Sequence, residues 1–148
     1  MKKVLLVLLF VGALFTTKAQ KTTFLAAGAS ISSGVITDNV EIGKTFGKNN
    51  ISLVGTATGI LTKELDKYAA GVRYAREFSN DSSFSVQANT AFGINLTGTK
   101  SLVIEPGASV TYYVFKAVGV RANISFPIQE ANLNKSTLSG GLQLIVRL

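Results

Sequence analysis

The stretch Phe84-Ser85-Val86-Gln87-Ala88-Asn89-Thr90-Ala91-Phe92-Gly93-Ile94-Asn95 settles the fold class. Phe84, Val86, Ala88, Phe92 and Ile94 share one parity, with Thr90 its only polar member. Ser85, Gln87, Asn89, Ala91, Gly93 and Asn95 hold the other. Side chains leave a strand alternately on opposite sides, so this pattern predicts a β-strand with one apolar face and one small, polar face.

Outward from this segment the alternation recurs. Val118, Val120, Ala122, Ile124 and Phe126 oppose Gly119, Arg121, Asn123 and Ser125. Leu138, Leu142, Leu144, Val146 and Leu148 oppose Ser139, Gly141, Gln143 and Arg147. Weaker versions cover Thr23–Ile31, Asn39–Phe46, Ile51–Ile60, Tyr68–Phe78 and Leu102–Val114, and no capped helical pattern follows residue 20. The mature chain is therefore read as all-β with eight strands. Several exceed the ~5–6 residues usual in soluble sheets, and strands of ~9–11 residues tilted near 45° are what a bilayer crossing requires. Such a reading predicts an eight-stranded antiparallel up-and-down transmembrane β-barrel.

Connection lengths and aromatic positions supply two further tests. The odd connections run approximately through 32–38, 61–67, 96–100 and 127–135, and the even ones through 47–50, 79–83 and 115–117. The odd set is longer, as in membrane barrels with short periplasmic turns and long outer loops, which puts both termini on the periplasmic side. Phe24, Phe46, Phe78, Phe84, Tyr112, Tyr113 and Phe115 flank the short turns or the first strand's start, and Tyr68, Phe92 and Phe126 lie near long loops. Two bands of rings are expected as girdles at the two membrane–water boundaries. Lys44 and Arg76 fall on the apolar face, each two residues before a girdle phenylalanine, where a long cationic side chain can snorkel to the headgroups.

The opposite face becomes an interior. Gly43, Gly71, Gly93, Gly107 and Gly119 lie on it, with Glu41, Arg73, Glu77, Glu105, Arg121 and Arg147 among them. Three acids and three arginines in a bore narrow enough for side chains to fill must pair, because isolated buried charge is prohibitively costly. They are read as a structural charge network, the functional alternative being a narrow polar pore or proton path. Pro106 interrupts the sixth strand, and a bulge around Glu105-Pro106-Gly107 is expected to accommodate its missing N–H.

Residues 1–19 read as a secretory signal peptide. Lys2 and Lys3 precede the 12-residue apolar run Val4 to Phe15, and Ala19 ends the polar exit, leaving residues 20–148 as one barrel domain. As a helix that run would span only ~18 Å, short of the ~30 Å hydrocarbon core. Removing Lys2, Lys3 and Lys18 lowers the formal charge from +7 to +4, with 12 basic residues against 8 acidic. The remaining charges are dispersed, so nothing marks a nucleic-acid partner.

Composition excludes most chemistry. The chain has 148 residues, no histidine and no cysteine. There is no Ser-His-Asp or Cys-His triad, no His/Cys zinc site, no disulfide and no cysteine for a lipid anchor. No P-loop or dinucleotide motif is present, and Glu64 and Asp66, interrupted by lysines, fall well short of a calcium loop. No catalytic, cofactor or metal site is expected. Five Asn-x-Ser/Thr triplets, at Asn50, Asn80, Asn95, Asn123 and Asn134, are what a polar strand face rich in these residues produces by chance.

An exported N-terminus, eight alternating strands and a strand running to Leu148 together resemble the small outer-membrane β-barrels of the OmpA/OmpX type. The resemblance covers the whole mature chain as a pattern, without a diagnostic motif, and departs from the family in ending on Leu148 rather than an aromatic residue. It implies residence in the bacterial outer membrane, with lipid as the principal partner. Enzymatic members of the family use histidine-containing sites, so the resemblance implies a structural, adhesive or accessory role, or a small-solute pore. A soluble lipocalin-like barrel is the further alternative, with its aliphatic faces turned inward around an apolar ligand. Ile60, Leu61, Leu65, Ile128 and Leu133 in the long connections either pack over the barrel mouth or contact a second envelope protein.

Overall fold

A computed structural model describes residues 21–58, 67–81, 83–97, 100–129 and 137–148. The strands are β1 (Lys21–Ser32), β2 (Val35–Phe46), β3 (Asn49–Thr58), β4 (Lys67–Asp81), β5 (Phe84–Asn95), β6 (Leu102–Tyr113), β7 (Val118–Ser125), β8 (Ile128–Gln129) and β9 (Ser139–Arg147). The segment from Phe84 to Asn95 forms one strand with the boundaries its alternation sets. The signal segment 1–19 lies outside the described residues.

Consecutive wall strands pair antiparallel, β9 pairs with β1, and the β5–β6 pairing completes the ring. β7 and β8 are two pieces of one wall strand. Both hold a single register against β6, with Gly107 opposite Ser125 and Ile104 opposite Ile128. The wall is thus eight-stranded and closed, and closure removes the unpaired edges that an open sheet would present.

The registers fix the barrel's shape. A path across paired residues runs Lys21, Phe46, Asn49, Arg76, Ala88, Ala108, Ile124, Gly140 and returns to β1 at Ile31, ten residues beyond its start. Eight strands with that stagger tilt by roughly 40° and close at a backbone radius of about 8 Å, a bore that side chains can fill.

Three local features depart from the sequence expectation. The first connection is not a loop over 32–38 but a two-residue turn, Ser33-Gly34, with φ of 49° and 78°. Two successive positive φ values make a turn whose twist matches a hairpin, so Val35 to Asp38 join β2 instead of the loop. Nor does the barrel bulge at Glu105-Pro106-Gly107: the β5–β6 register runs unbroken past Thr90 opposite Pro106. Pro106 turns its carbonyl toward β7, where it accepts from Phe126 N at 2.9 Å. Its missing N–H therefore falls at the gap between β7 and β8, and the ladder simply skips that bond. The bulge lies on β4: Glu77 pairs with Gln87 and Ser79 with Val86, leaving Phe78 as the extra residue.

The molecule is inverted relative to a soluble domain. Among the described residues fifteen buried ones are polar or charged, Ser85, Thr111 and Gln143 at 2 % exposure or less among them, against seven hydrophobic ones. Leu25, Ile42, Leu53, Val72, Val110, Val120, Ile124, Leu142 and Leu144 are exposed around the outside. Both consequences were encoded in the alternation.

Candidate functional site

The bore is the one place where charged and hydrogen-bonding side chains converge among the described residues, and it has three levels. At the loop end lies a cup of about 370 Å³. Hydroxyls and amides from every side of the wall line it, among them Thr37, Asn39, Thr56, Asn123 and Ser139. Gly71 and Gly93 face each other across β4 and β5, and a Cβ on Gly71 would sit 2.4 Å from Phe92 O. Those two glycines thus give this level its width. Glu105, on the same rim, accepts a hydrogen bond from Ser125 Oγ at 2.5 Å.

Charge is concentrated at the middle level. Glu41 on β2 is 4 % exposed and receives three donors. Arg73 Nη1 reaches its Oε2 at 2.7 Å and Arg121 Nη1 the same oxygen at 3.0 Å, while Ser52 Oγ donates to Oε1 at 2.6 Å. Arg121 also approaches Gln143 Oε1 at 3.5 Å and Thr111 Oγ1 at 3.4 Å, and Gln143 donates to Asn39 at 2.5 Å. Inward positions of β2, β3, β4, β6, β7 and β9 thereby meet across the lumen. A carboxylate shared by two guanidinium groups ties three strands through short, charge-assisted hydrogen bonds, which suits a cross-brace.

Below it, toward the turn end, the bore is packed. Phe24, Ala26, Tyr113 and Ile145 form a buried apolar cluster. The guanidinium of Arg147 stacks on Tyr113 at 3.8 Å from the ring centroid, and that of Arg121 lies 5.4 Å from the Phe24 centroid. Gly43 makes room for Phe24, since a Cβ there would meet the ring at 2.6 Å. Glu77 accepts from Ser85 Oγ at this level, with Gln87 donating to Ser85 at 3.3 Å. Two small cavities, one beside Glu41 and Arg73 and one beside Glu77 and Arg147, measure about 10 Å³ each, against 370 Å³ in the cup.

The sequence-derived residues distribute as follows. Glu41, Arg73 and Arg121 come together in direct ion pairs; Glu77 and Arg147 line one small cavity below them with Arg121, and Glu105 lies at the cup. Phe46, Tyr68, Phe78, Phe84, Phe92, Tyr112, Phe115 and Phe126 lie outside the described cluster of buried rings, most of them exposed. Phe24 and Tyr113 correct the girdle assignment: at 3 % and 5 % exposure they face the bore. Their strands leave no choice, since Leu25 and Tyr112 already occupy the outward parity. Ser52, Asn39, Thr111, Gln143 and Ile145 were not singled out from sequence, although each has the inward parity of its strand. Ile60, Leu61, Glu64, Leu65, Asp66 and Leu133 lie outside the described residues, whereas Ile128 pairs with Ile104 in β8.

No protein-family model matches the chain, and no curated sequence matches it. Solved structures do. The N-terminal β-barrel domain of Pseudomonas aeruginosa OprF superposes with a TM-score of 0.73 at 10% identity, covering 88% of this chain and 100% of that one. The Yersinia pestis outer membrane protein Ail matches with a TM-score of 0.58 at 10% identity, over 87% of this chain and 100% of the other. Neisserial surface protein A gives 0.52 at 16% identity, over 86% and 94%. Identities this low report architecture alone. The chain has the fold of the small eight-stranded outer-membrane β-barrels.

Proposed function

We propose that this chain is a non-enzymatic integral barrel of the bacterial outer membrane, with both termini periplasmic, serving as a structural, adhesive or accessory subunit of the envelope. The observation that carries the reading is sidedness: a closed wall with aliphatic and aromatic side chains outside and a charged, hydrogen-bonded filling inside. Water outside would make the exposed apolar surface an aggregation liability, whereas lipid outside makes it the stable arrangement. Arg73, Arg121 and Glu41 are spent on bracing one another rather than on a substrate, and the chain contains no histidine or cysteine for acyl-transfer chemistry.

A lipocalin-like soluble barrel requires the opposite sidedness, with its aliphatic faces around a ligand. Mobility of boiled against unboiled protein in detergent gels tests the proposal. A heat-dependent shift, with retention in membranes through alkaline carbonate, is the expected result. A soluble monomer without detergent would overturn it. The segments joining β3 to β4 and β8 to β9 are where a second envelope protein would bind, and crosslinking in whole cells before and after exchange of residues 59–66 is the measurement for that part.

A further inference from the structure

Beside the Glu41–Arg73 pair lies a cavity of about 10 Å³, walled by Phe24, Asn50, Arg121 and Asn123 among others. That volume admits one water-sized sphere and nothing larger. Arg73 and Asn123 also line the cup, so the two spaces are neighbours in the bore.

Four buried side-chain atoms among the described residues have no hydrogen-bond partner in the protein: Asn50 Oδ1, Thr58 Oγ1, Arg73 Nε and Asn123 Oδ1. Thr58 belongs to the cup wall, whereas the other three residues surround the small cavity. Asn50 and Arg73 are 5 % and 9 % exposed. Arg73 spends its Nη1 on Glu41, and its Nε–H is a separate donor. The register explains the convergence. Ser52 stands opposite Arg73, so Asn50, one inward step along β3, is the diagonal neighbour of Arg73, and Asn123 reaches in from β7.

A buried donor or acceptor without a partner bears the whole cost of its lost hydration. One donor and two acceptors around a water-sized space match the valence of a single molecule. Water offers a lone pair to the guanidinium N–H and an O–H to each amide oxygen. A cation would sit against two guanidinium groups, and an anion would face two amide oxygens, so neither fits.

We infer that this cavity binds one structural water, which accepts from Arg73 Nε–H and donates to Asn50 Oδ1 and Asn123 Oδ1. Glu41 already gathers Ser52, Arg73 and Arg121 from β3, β4 and β7. The water joins the same three strands a second time, without the carboxylate. This holds whether lipid or water surrounds the wall.

A high-resolution crystal structure of the folded barrel should show one density peak within hydrogen-bond distance of all three atoms. In solution, the Arg73 Nε–H resonance should cross-relax with water in the rotating frame, with the sign that separates a bound water from proton exchange. Asn123→Leu keeps the side chain's size but removes its acceptor, and should lose both signals. Thr37→Val alters the cup wall and not the small cavity, and should keep both. Should Asn123→Leu fail to fold, Asn50→Leu takes its place with the same expected losses, and the wild-type measurements decide if neither folds. A wild-type peak that is missing or bonded to fewer than all three atoms would overturn the site. So would signals that survive the Asn→Leu change or vanish in Thr37→Val.

Discussion

Glu41 holds three interior partners at once, since two guanidinium groups and a serine depend on it. Glu41→Ala leaves Arg73 and Arg121 buried without their anion, and breaking such a pair from one side costs about 3–5 kcal/mol. Chemical unfolding in lipid vesicles should show a loss of that order. Ser52→Ala removes one neutral donor to a charged acceptor and should cost about 1.5–3 kcal/mol by the same measurement. Equal losses for the two would mean that the carboxylate's charge is not what holds the layer. The parity of Glu41, Arg73 and Arg121 was legible in the sequence, but their partnership was not: alternation gives the face of a residue and leaves its height in the barrel to the register. Phe24 and Tyr113 show the converse. Their parity places them inside with Ala26 and Thr111, yet their position near a turn suggested a girdle, and proximity to a turn proved the weaker signal.

Among the elements, the β1–β2 hairpin and the β6–β7 seam decided what periodicity could not. Ser33-Gly34 is a short turn signal followed by Val35-Ile36, two apolar residues that break the alternation, so β2 read as starting at Asn39. The turn has its own stability consequence. Gly34→Val places a β-branched residue at φ 78°, a region such residues avoid, and should cost more than about 1 kcal/mol in the same unfolding assay. Pro106→Ala should do the reverse. It supplies the N–H that the ladder skips opposite Phe126, and Pro106 already sits in unbroken register with β5. Hydrogen exchange should then reveal a protected amide at position 106, with stability unchanged or raised. An unprotected amide there would show that the gap between β7 and β8 is set by Pro127 rather than by Pro106.

At the scale of the whole barrel, the question is whether the polar bore conducts. A solute entering the cup meets the Glu41 layer first and then the rings of Phe24 and Tyr113 with Ile145. The two obstacles differ in kind, one ionic and one apolar, and they are in series. Planar-bilayer recordings of the wild type should therefore show no stable conductance steps at high protein load. Glu41→Gln loosens the ionic layer but leaves the ring cluster in place. Tyr113→Ala opens the ring cluster but leaves Arg73 and Arg121 on Glu41. Each single variant should also stay silent, provided its gel mobility still changes on heating. Stable steps from the wild type would replace the plugged barrel with a pore. Steps from only one variant would identify that variant's layer as the sole seal and reduce the other to a structural brace.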